Sequence, residues 1–366
     1  MAADGHAFRV LLLTSGPLDG EEGADTQLAM ALAHAMPQAE HLWFRQWPGR
    51  NRPVGVARGR SVPIPSRDGV PHLAERLQVA TAGAVLARHV DLVHAVMTIG
   101  AGFPAFSRLW PRLVGGRPIL HTVPGVMDPA RLDRSRPLGP TVALSEATAG
   151  MLGAAGFGEV RVIGPGVRLD CWPHRPRPTG ELPTVLVTGH HDRDGGTYEA
   201  ISSAAAAWRA GARFRLVLAI RSRPGQDVRY LGKALRARAL QEGLHDVEVL
   251  GYVEDMSGLL AASDVLLYVP RALGGKADVP LTVLEALATG RPVILSDLPQ
   301  FASLTDSVLR VPVGNCHHAG RLLYQLLDRP QWWEQLAKRG RTTVEERFGQ
   351  DRFMSNYARL YQELLA

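Results

Sequence analysis

Val265 to Val269 is an apolar run of strand length that stops at Pro270, and a helix-compatible segment opens at Pro280. Between them Arg271 to Val279 carries the pair Gly274-Gly275, which marks a loop. Proline fits the first position of a helix, where its missing N–H costs nothing. The turn that follows presents backbone N–H groups with no helical acceptor and a partial positive charge, a setting suited to a diphosphate. Pro280, Leu281 and Thr282 occupy that turn, and Glu285 lies within the next. A carboxylate there can accept two hydrogen bonds from ribose hydroxyls, as acidic residues do at other nucleotide sites. Spacing alone equally allows Glu285 simply to cap or solvate its helix.

Three further groups could do chemistry. The string His190-His191-Asp192-Arg193-Asp194 follows the apolar run Thr184 to Thr188 and Gly189. Its Asp-x-Asp could hold a divalent metal, but the position after such a strand and the want of further acidic partners favour a polar loop, so no metal is expected. His121-Thr122 ends the run Pro118 to Thr122. A lone histidine is usually structural, yet one at a carboxyl strand end is well placed to meet a ligand. The loop after the first apolar run, Ser15 to Gly23, is rich in glycine and acidic residues. No G-x-G-x-x-G follows that run, which speaks against a nicotinamide dehydrogenase.

These residues need elements to hold them. Strands are expected at Arg9 to Thr14, Asp91 to Met97, Pro118 to Thr122, Thr141 to Leu144 and Val160 to Ile163, with a helix from about Asp25 to Met36. A stretch rich in proline and arginine, Arg168 to Pro183, then reads as an extended linker. The cycle restarts with strands at Thr184 to Thr188, Phe214 to Ile220, Val247 to Leu250, Asp264 to Val269 and Pro292 to Ser296. Helices near Tyr198 to Arg209, Val228 to Glu242, Met256 to Ala262 and Leu281 to Thr289 alternate with them. Such alternation is the pattern of βαβ units on parallel sheets. The expected fold is therefore α/β, two Rossmann-like doubly wound domains over residues 1–167 and 184–349, joined by 168–183 and facing a cleft at the carboxyl ends of their strands.

With 366 residues, two domains are the natural expectation, and an apolar share of 46% can fill both cores. No apolar run approaches the ~20 residues of a membrane span, and the polar opening Met1 to Ala7 carries no secretory signal, so a cytoplasmic protein is expected. Cys171 and Cys316 support neither a disulfide framework nor a zinc site. The net charge of +6 is almost wholly arginine beside abundant alanine and glycine, which reads as genome composition rather than as a nucleic-acid surface. Arg45, Arg50, Arg52, Arg58, Arg60 and Arg67 fall in a run with no acidic residue between Glu40 and Asp68. That run reads as a solvated loop, or else as a contact for an anionic acceptor or membrane surface.

The run Gly251-Tyr252-Val253, then Leu259-Leu260-Ala261-Ala262-Ser263-Asp264-Val265, then Pro280 to Ile294 with Leu284-Glu285-Ala286-Leu287-Ala288 and Gly290-Arg291-Pro292-Val293, resembles the nucleotide-sugar half of the GT-B retaining glycosyltransferases of family 4. Ser145-Glu146-Ala147-Thr148 and Val162-Ile163-Gly164-Pro165-Gly166-Val167 resemble the same family's run into its linker, and the final helix, about 350–366, its crossover helix packing back on the first domain. The resemblance implies transfer from a nucleoside-diphosphate sugar with retention of configuration and no cofactor. Donor contacts would come from Gly23, Gly189, His190, Val253, Pro280, Leu281, Thr282 and Glu285, with Gly20 on the acceptor side. Of the family's two donor carboxylates the second is matched by Glu285. Ala277 stands at the first; Asp278, one position on, could take over contact with the sugar hydroxyls, or the loop could place the carboxylate elsewhere. The family's phosphate-binding arginine and lysine are His190 and Gly195 here, leaving Arg193 and a histidine to compensate the leaving group. His121 falls on the family's sugar-reaching histidine. The acceptor, which could be a small molecule, a glycan or a lipid-linked compound, is not specified by these residues. A catalytically silent relative serving as a scaffold is the alternative that the missing cations and glutamate suggest.

Overall fold

The computed structural model describes residues 8–18, 24–47, 59–65, 72–222, 227–274 and 276–366. In chain order the elements are β1 (Arg9–Thr14), α1 (Ala24–Ala35), β2 (Glu40–Trp47), β3 (Gly59–Pro65), α2 (Leu73–Ala87), β4 (Leu92–Val96), α3 (Phe103–Leu109), β5 (Ile119–Val123), β6 (Thr141–Ala143), α4 (Glu146–Ala154) and β7 (Val160–Val162). Then come β8 (Thr184–His190), α5 (Thr197–Arg209), β9 (Arg215–Arg221), α6 (Val228–Gln241), β10 (Val247–Leu250), α7 (Met256–Ala261), β11 (Val265–Tyr268), α8 (Leu281–Ala288), β12 (Val293–Ser296), β13 (Leu309–Val311), α9 (Cys316–Asp328), α10 (Pro330–Arg347) and α11 (Gln350–Leu365). By contacts the chain falls into two units, one of residues 1–166, 274–278 and 350–366, the other of 167–273 and 279–349.

In the first unit the strands run in the order β3-β2-β1-β4-β5-β6-β7, all parallel. Near-continuous apolar strands are what a sheet covered on both faces requires. Leu11, Leu13, Val93 and Ala95 enter one core while their neighbours Val10, Leu12, Leu92 and Val96 enter the other. The second core includes Phe353, Tyr357, Leu360 and Tyr361 of α11, at roughly 2 kcal/mol of burial per side chain. A polar thread fixes that helix. The Tyr361 hydroxyl lies 2.7 Å from His94 Nδ1, His94 Nε2 lies 2.7 Å from Thr122 Oγ1, and Thr122 Oγ1 lies 3.0 Å from the Tyr357 hydroxyl. Burial, with His121 and His41 nearby, drives the His94 pKa down to about 3, so the ring is neutral and has one donor and one acceptor nitrogen for the two hydroxyls.

Two strands correct the loop expected across the arginine-rich run. Arg45 lies on β2 and Arg60 on β3, where the exposed Arg60 guanidinium lies 3.4 Å from the Glu40 carboxylate. Among the described residues β3 pairs with β2 alone, so Pro63 and Pro65 lie on an edge strand, where missing N–H groups are tolerated. Arg50, Arg52, Arg58 and Arg67 lie outside the described residues.

In the second unit the parallel order is β10-β9-β8-β11-β12-β13. The period-2 logic repeats. Val185, Val187, Leu216, Leu218, Val265 and Leu267 face one core, and Leu186, Val217, Ala219, Leu266 and Tyr268 face the other. Residues 168–183, expected as a linker, are fastened within this unit. Arg291 is wholly buried and donates to the carbonyls of Arg175, Pro176 (2.8 Å) and Ser263 (3.0 Å). Arg177 donates to Asp264 at 3.1 Å, and both guanidinium groups lie over the Trp333 ring. No helix of the described residues is long and apolar enough to cross a membrane.

Candidate functional site

In an open parallel sheet, ligands meet the carboxyl ends of the strands at the point where strand order reverses. In the second unit this point lies between β8 and β11. β8 runs two residues past the expected strand, so Gly189 and His190 are its last members and pair with Ile220 and Arg221. Gly189 has φ 139°, a conformation side chains rarely adopt. The turn 192–195 follows, with Arg193 exposed. This loop is stitched to the one after β11: the Asp194 carbonyl accepts from the N–H of Arg271 at 2.9 Å, and the Arg271 guanidinium pairs with Glu199. Gly196, at φ 78°, closes the loop where any Cβ would overlap the Val269 carbonyl.

The helix start expected at Pro280 is present. Pro280 has φ −64° and ψ 129°, and its carbonyl takes the first helical bonds, from Val283 at 3.1 Å and Leu284 at 3.4 Å. The N–H groups of Leu281 and Thr282 therefore precede the helical ladder. Glu285 is half-buried in the following turn. Burial pushes its pKa up to about 7, against the pull of the Arg221 charge. Arg221 closes β9, and its guanidinium lies 5.0 Å from the centre of the Tyr252 ring. Val253 is half-buried against the core. Thus Gly189, His190, Arg193, Pro280, Leu281, Thr282 and Glu285 belong to strand ends and helix starts of one unit, with Arg221 added to them by its charge on Glu285. The arrangement can accept hydrogen bonds from a diol at Glu285 and donate to an anion at the start of α8.

The other assignments are placed differently. Asp278 is grouped with the first unit and is buried. Its N–H donates to the Pro124 carbonyl at 2.9 Å, and its carboxylate accepts from Ser145 Oγ at 2.8 Å. Burial pushes the Asp278 pKa up to about 6, and the hydroxyls of Thr148 and Ser145 offset part of that rise. The carboxylate expected to meet sugar hydroxyls thus already has protein hydroxyl partners. His121 is the third residue of β5 rather than its end, and it is wholly buried. Its ring stacks on Phe103 at 5.1 Å, Nε2 lies 3.3 Å from the Met97 carbonyl, and burial lowers its pKa to about 4. Gly20 and Gly23 lie outside the described residues.

One cluster escaped the sequence reading. In the first unit strand order reverses between β1 and β4. There Asp25, at the start of α1, accepts from Thr98 Oγ1 at 2.7 Å and from the Thr98 N–H and Ser15 Oγ at 3.4 Å each. Burial raises its pKa, with the Thr98 and Ser15 hydrogen bonds opposing. An aspartate in the first turn of a helix after a glycine-rich loop was the only sequence signal for it.

Comparison with known proteins places the fold. Residues 183–328 match the family described as glycosyl transferases group 1. N-acetyl-alpha-D-glucosaminyl L-malate synthase of Bacillus anthracis is 29% identical over 119 residues, 32% of this chain and 30% of that enzyme, so the match spans less than a third of the relative. Among solved structures, HepE (Alr3699) of Anabaena in complex with UDP-glucose is 14% identical over 97% of this chain and 100% of its own, with a TM-score of 0.76. Sucrose-phosphate synthase of Thermosynechococcus elongatus is 19% identical over 98% and 99%, with a TM-score of 0.77. Residues 183–328 are a glycosyl transferases group 1 domain, in a chain whose two parallel sheets have the GT-B fold.

Proposed function

We propose that the protein transfers a sugar from a nucleoside-diphosphate sugar to an acceptor hydroxyl with retention of configuration. The observation that carries the reading is the group Glu285, Arg221 and the start of α8 at the strand-order reversal of the second unit. Glu285, when ionised, accepts from the ribose diol of the donor. The Leu281 and Thr282 N–H groups face the diphosphate, and Arg193 with His190 supplies charge as it departs. In the transfer the bond from the anomeric carbon to the phosphate oxygen breaks, and one from the acceptor oxygen forms on the same face. The acceptor proton goes to the departing phosphate oxygen. Uridine is the base to try first, because the Anabaena neighbour was solved with UDP-glucose. This assignment rests on the second unit and uses neither His121 nor Asp278.

The replacement of the family's cations by His190 and Gly195, together with the buried engagement of Asp278 with Ser145, favours a second reading as a silent scaffold. Isothermal titration with UDP, and hydrolysis assays with a panel of nucleotide sugars, separate the two. A transferase binds UDP and releases it from at least one donor, with turnover falling at least tenfold in Arg193→Ala. Failure to bind UDP together with no donor turnover would remove the transferase reading.

A further inference from the structure

Five large apolar side chains that face solvent fall within residues 73–113, on neighbouring elements of the first unit. Leu73 is 72%, Leu77 56% and Val85 62% exposed on α2, and Leu109 59% and Leu113 51% exposed at and just beyond the end of α3. On α2 the buried residues Glu75, Val79, Gly83 and Ala87 mark the face against the sheet. Leu77 and Val85 lie on the side opposite, eight residues or about 12 Å apart along the axis. The segment after α3 is held alongside. The Trp110 indole N–H donates to the Ala80 carbonyl at 2.8 Å, and Arg117 donates to the Arg88 carbonyl at 3.3 Å. The two segments therefore lie side by side in the first unit. A soluble monomer rarely leaves such a patch uncovered without a use for it.

Its charge says what covers it. Arg88, Arg108, Arg112 and Arg117 are all exposed and have no ion-pair partner among the described residues. Residues 72–118 contain just two acidic residues. Glu75 is buried in the cap of α2, and Asp91 receives the N–H of Arg9. A second copy of this chain docked about a two-fold axis would set arginine against arginine. An apolar stripe rimmed by cations instead matches a surface with an anionic rim and an apolar interior.

We infer that α2 and the segment 108–117 form a docking face for an anionic lipid bilayer, with Leu77, Val85, Leu109 and Leu113 entering the interface and Arg88, Arg108, Arg112 and Arg117 meeting the lipid phosphates. This face is independent of the donor assignment and lies on different residues from the arginine run 45–67. It would bring the enzyme to an acceptor carried on lipid.

The test is co-sedimentation of the full chain with vesicles of pure phosphatidylcholine and with vesicles containing about 30 mol % phosphatidylglycerol at about 0.1 M salt, the regime in which surface charge still acts. Binding is expected to the second alone and to fall with added salt. Arg108→Gln with Arg112→Gln should weaken it about 25-fold, at about fivefold per arginine. Leu77→Ser with Val85→Ser should weaken it at least tenfold without changing charge. All four positions are exposed, so thermal midpoints and UDP affinity should remain those of the parent. No binding to the anionic vesicles, or equal binding by parent and both variants, overturns the assignment. So does a concentration-dependent dimer in sedimentation velocity that the same variants abolish, because the face then belongs to a second copy.

Discussion

Replacing Glu285 by glutamine should make the protein more stable and a worse binder, and the pH dependence of the two effects should run in opposite directions. Burial raises the carboxyl pKa from its ordinary 4.5 to about 7 in the folded chain. At about 1.4 kcal/mol per pH unit, keeping the group ionised in the fold costs about 3 kcal/mol. The raised value means that the folded state holds a proton that the unfolded state has released. The carboxyl's contribution to stability is then complete below about 4.5 and is lost as the pH climbs through about 7. Glutamine has no such dependence. Urea denaturation of Glu285→Gln and its parent should therefore coincide near pH 4.5, diverge between pH 5 and 7, and differ by about 3 kcal/mol in favour of the variant at pH 8. Binding should go the other way. Uridine carries no phosphate that titrates in this range, and its affinity for the parent should rise through pH 7 as Glu285 ionises. The variant should lose that step and about tenfold in affinity at pH 8. A variant no more stable than the parent at pH 8, or a stability gain unchanged at pH 4.5, would refute the burial argument. A uridine affinity unaffected by the substitution would remove Glu285 from the nucleotide site.

Ser145→Ala removes the hydroxyl that donates to the buried Asp278 carboxylate. It should cost about 1–3 kcal/mol in denaturant unfolding at pH 8 and progressively less as the pH falls through about 6 and Asp278 becomes protonated. A cost that is the same at pH 5 and pH 8 would show that the hydroxyl matters for packing rather than for the charge. Gly196→Ala sets a methyl group against the Val269 carbonyl at φ 78° and should lose at least 2 kcal/mol together with nucleotide affinity. Gly243→Ala, at φ 87° with open space around it, should lose only about 1 kcal/mol and no affinity. Equal losses at the two positions, read from thermal midpoints, would contradict the close approach of the two loops.

The parts of the fold that could be read from the sequence are those whose cause is local. Unbroken apolar runs such as Val10 to Leu13 and Val265 to Val269 state in four or five residues that both faces of a strand are covered, and those strands lie within a residue or two of expectation. The strand β3 was missed for the opposite reason. Its Pro63 and Pro65 speak against a strand by propensity, and only its place at the sheet edge, a property of the whole sheet, makes them acceptable. The segment 168–183 reads as an extended linker because proline and arginine dominate it. What holds it is Arg291, more than a hundred residues away, whose guanidinium satisfies carbonyls that a linker would leave to water.

The same division runs through the candidate site. A proline that opens a helix and a glutamate one turn later are neighbours in sequence, so Pro280, Leu281, Thr282 and Glu285 could be picked out together. Electrostatics at a site is instead set by what distant segments bring near. Arg221 lies 64 residues before Glu285, and only the parallel register of β8 with β9, which pairs His190 with Arg221, puts its charge where it opposes the rise in the Glu285 pKa. The pairs Asp278 with Ser145 and Asp25 with Thr98 are joined across 133 and 73 residues. In each, burial raises the carboxyl's pKa and a hydroxyl restrains it. A motif can name a carboxylate; whether that carboxylate is charged, and whether a ligand's hydroxyls can displace the protein's own, depends on partners that no local spacing encodes. For Glu285, whose carboxylate has no hydroxyl partner among the described residues and feels the Arg221 charge, the balance favours a ligand diol. For Asp278, already bonded to Ser145, a sugar hydroxyl must first displace that serine.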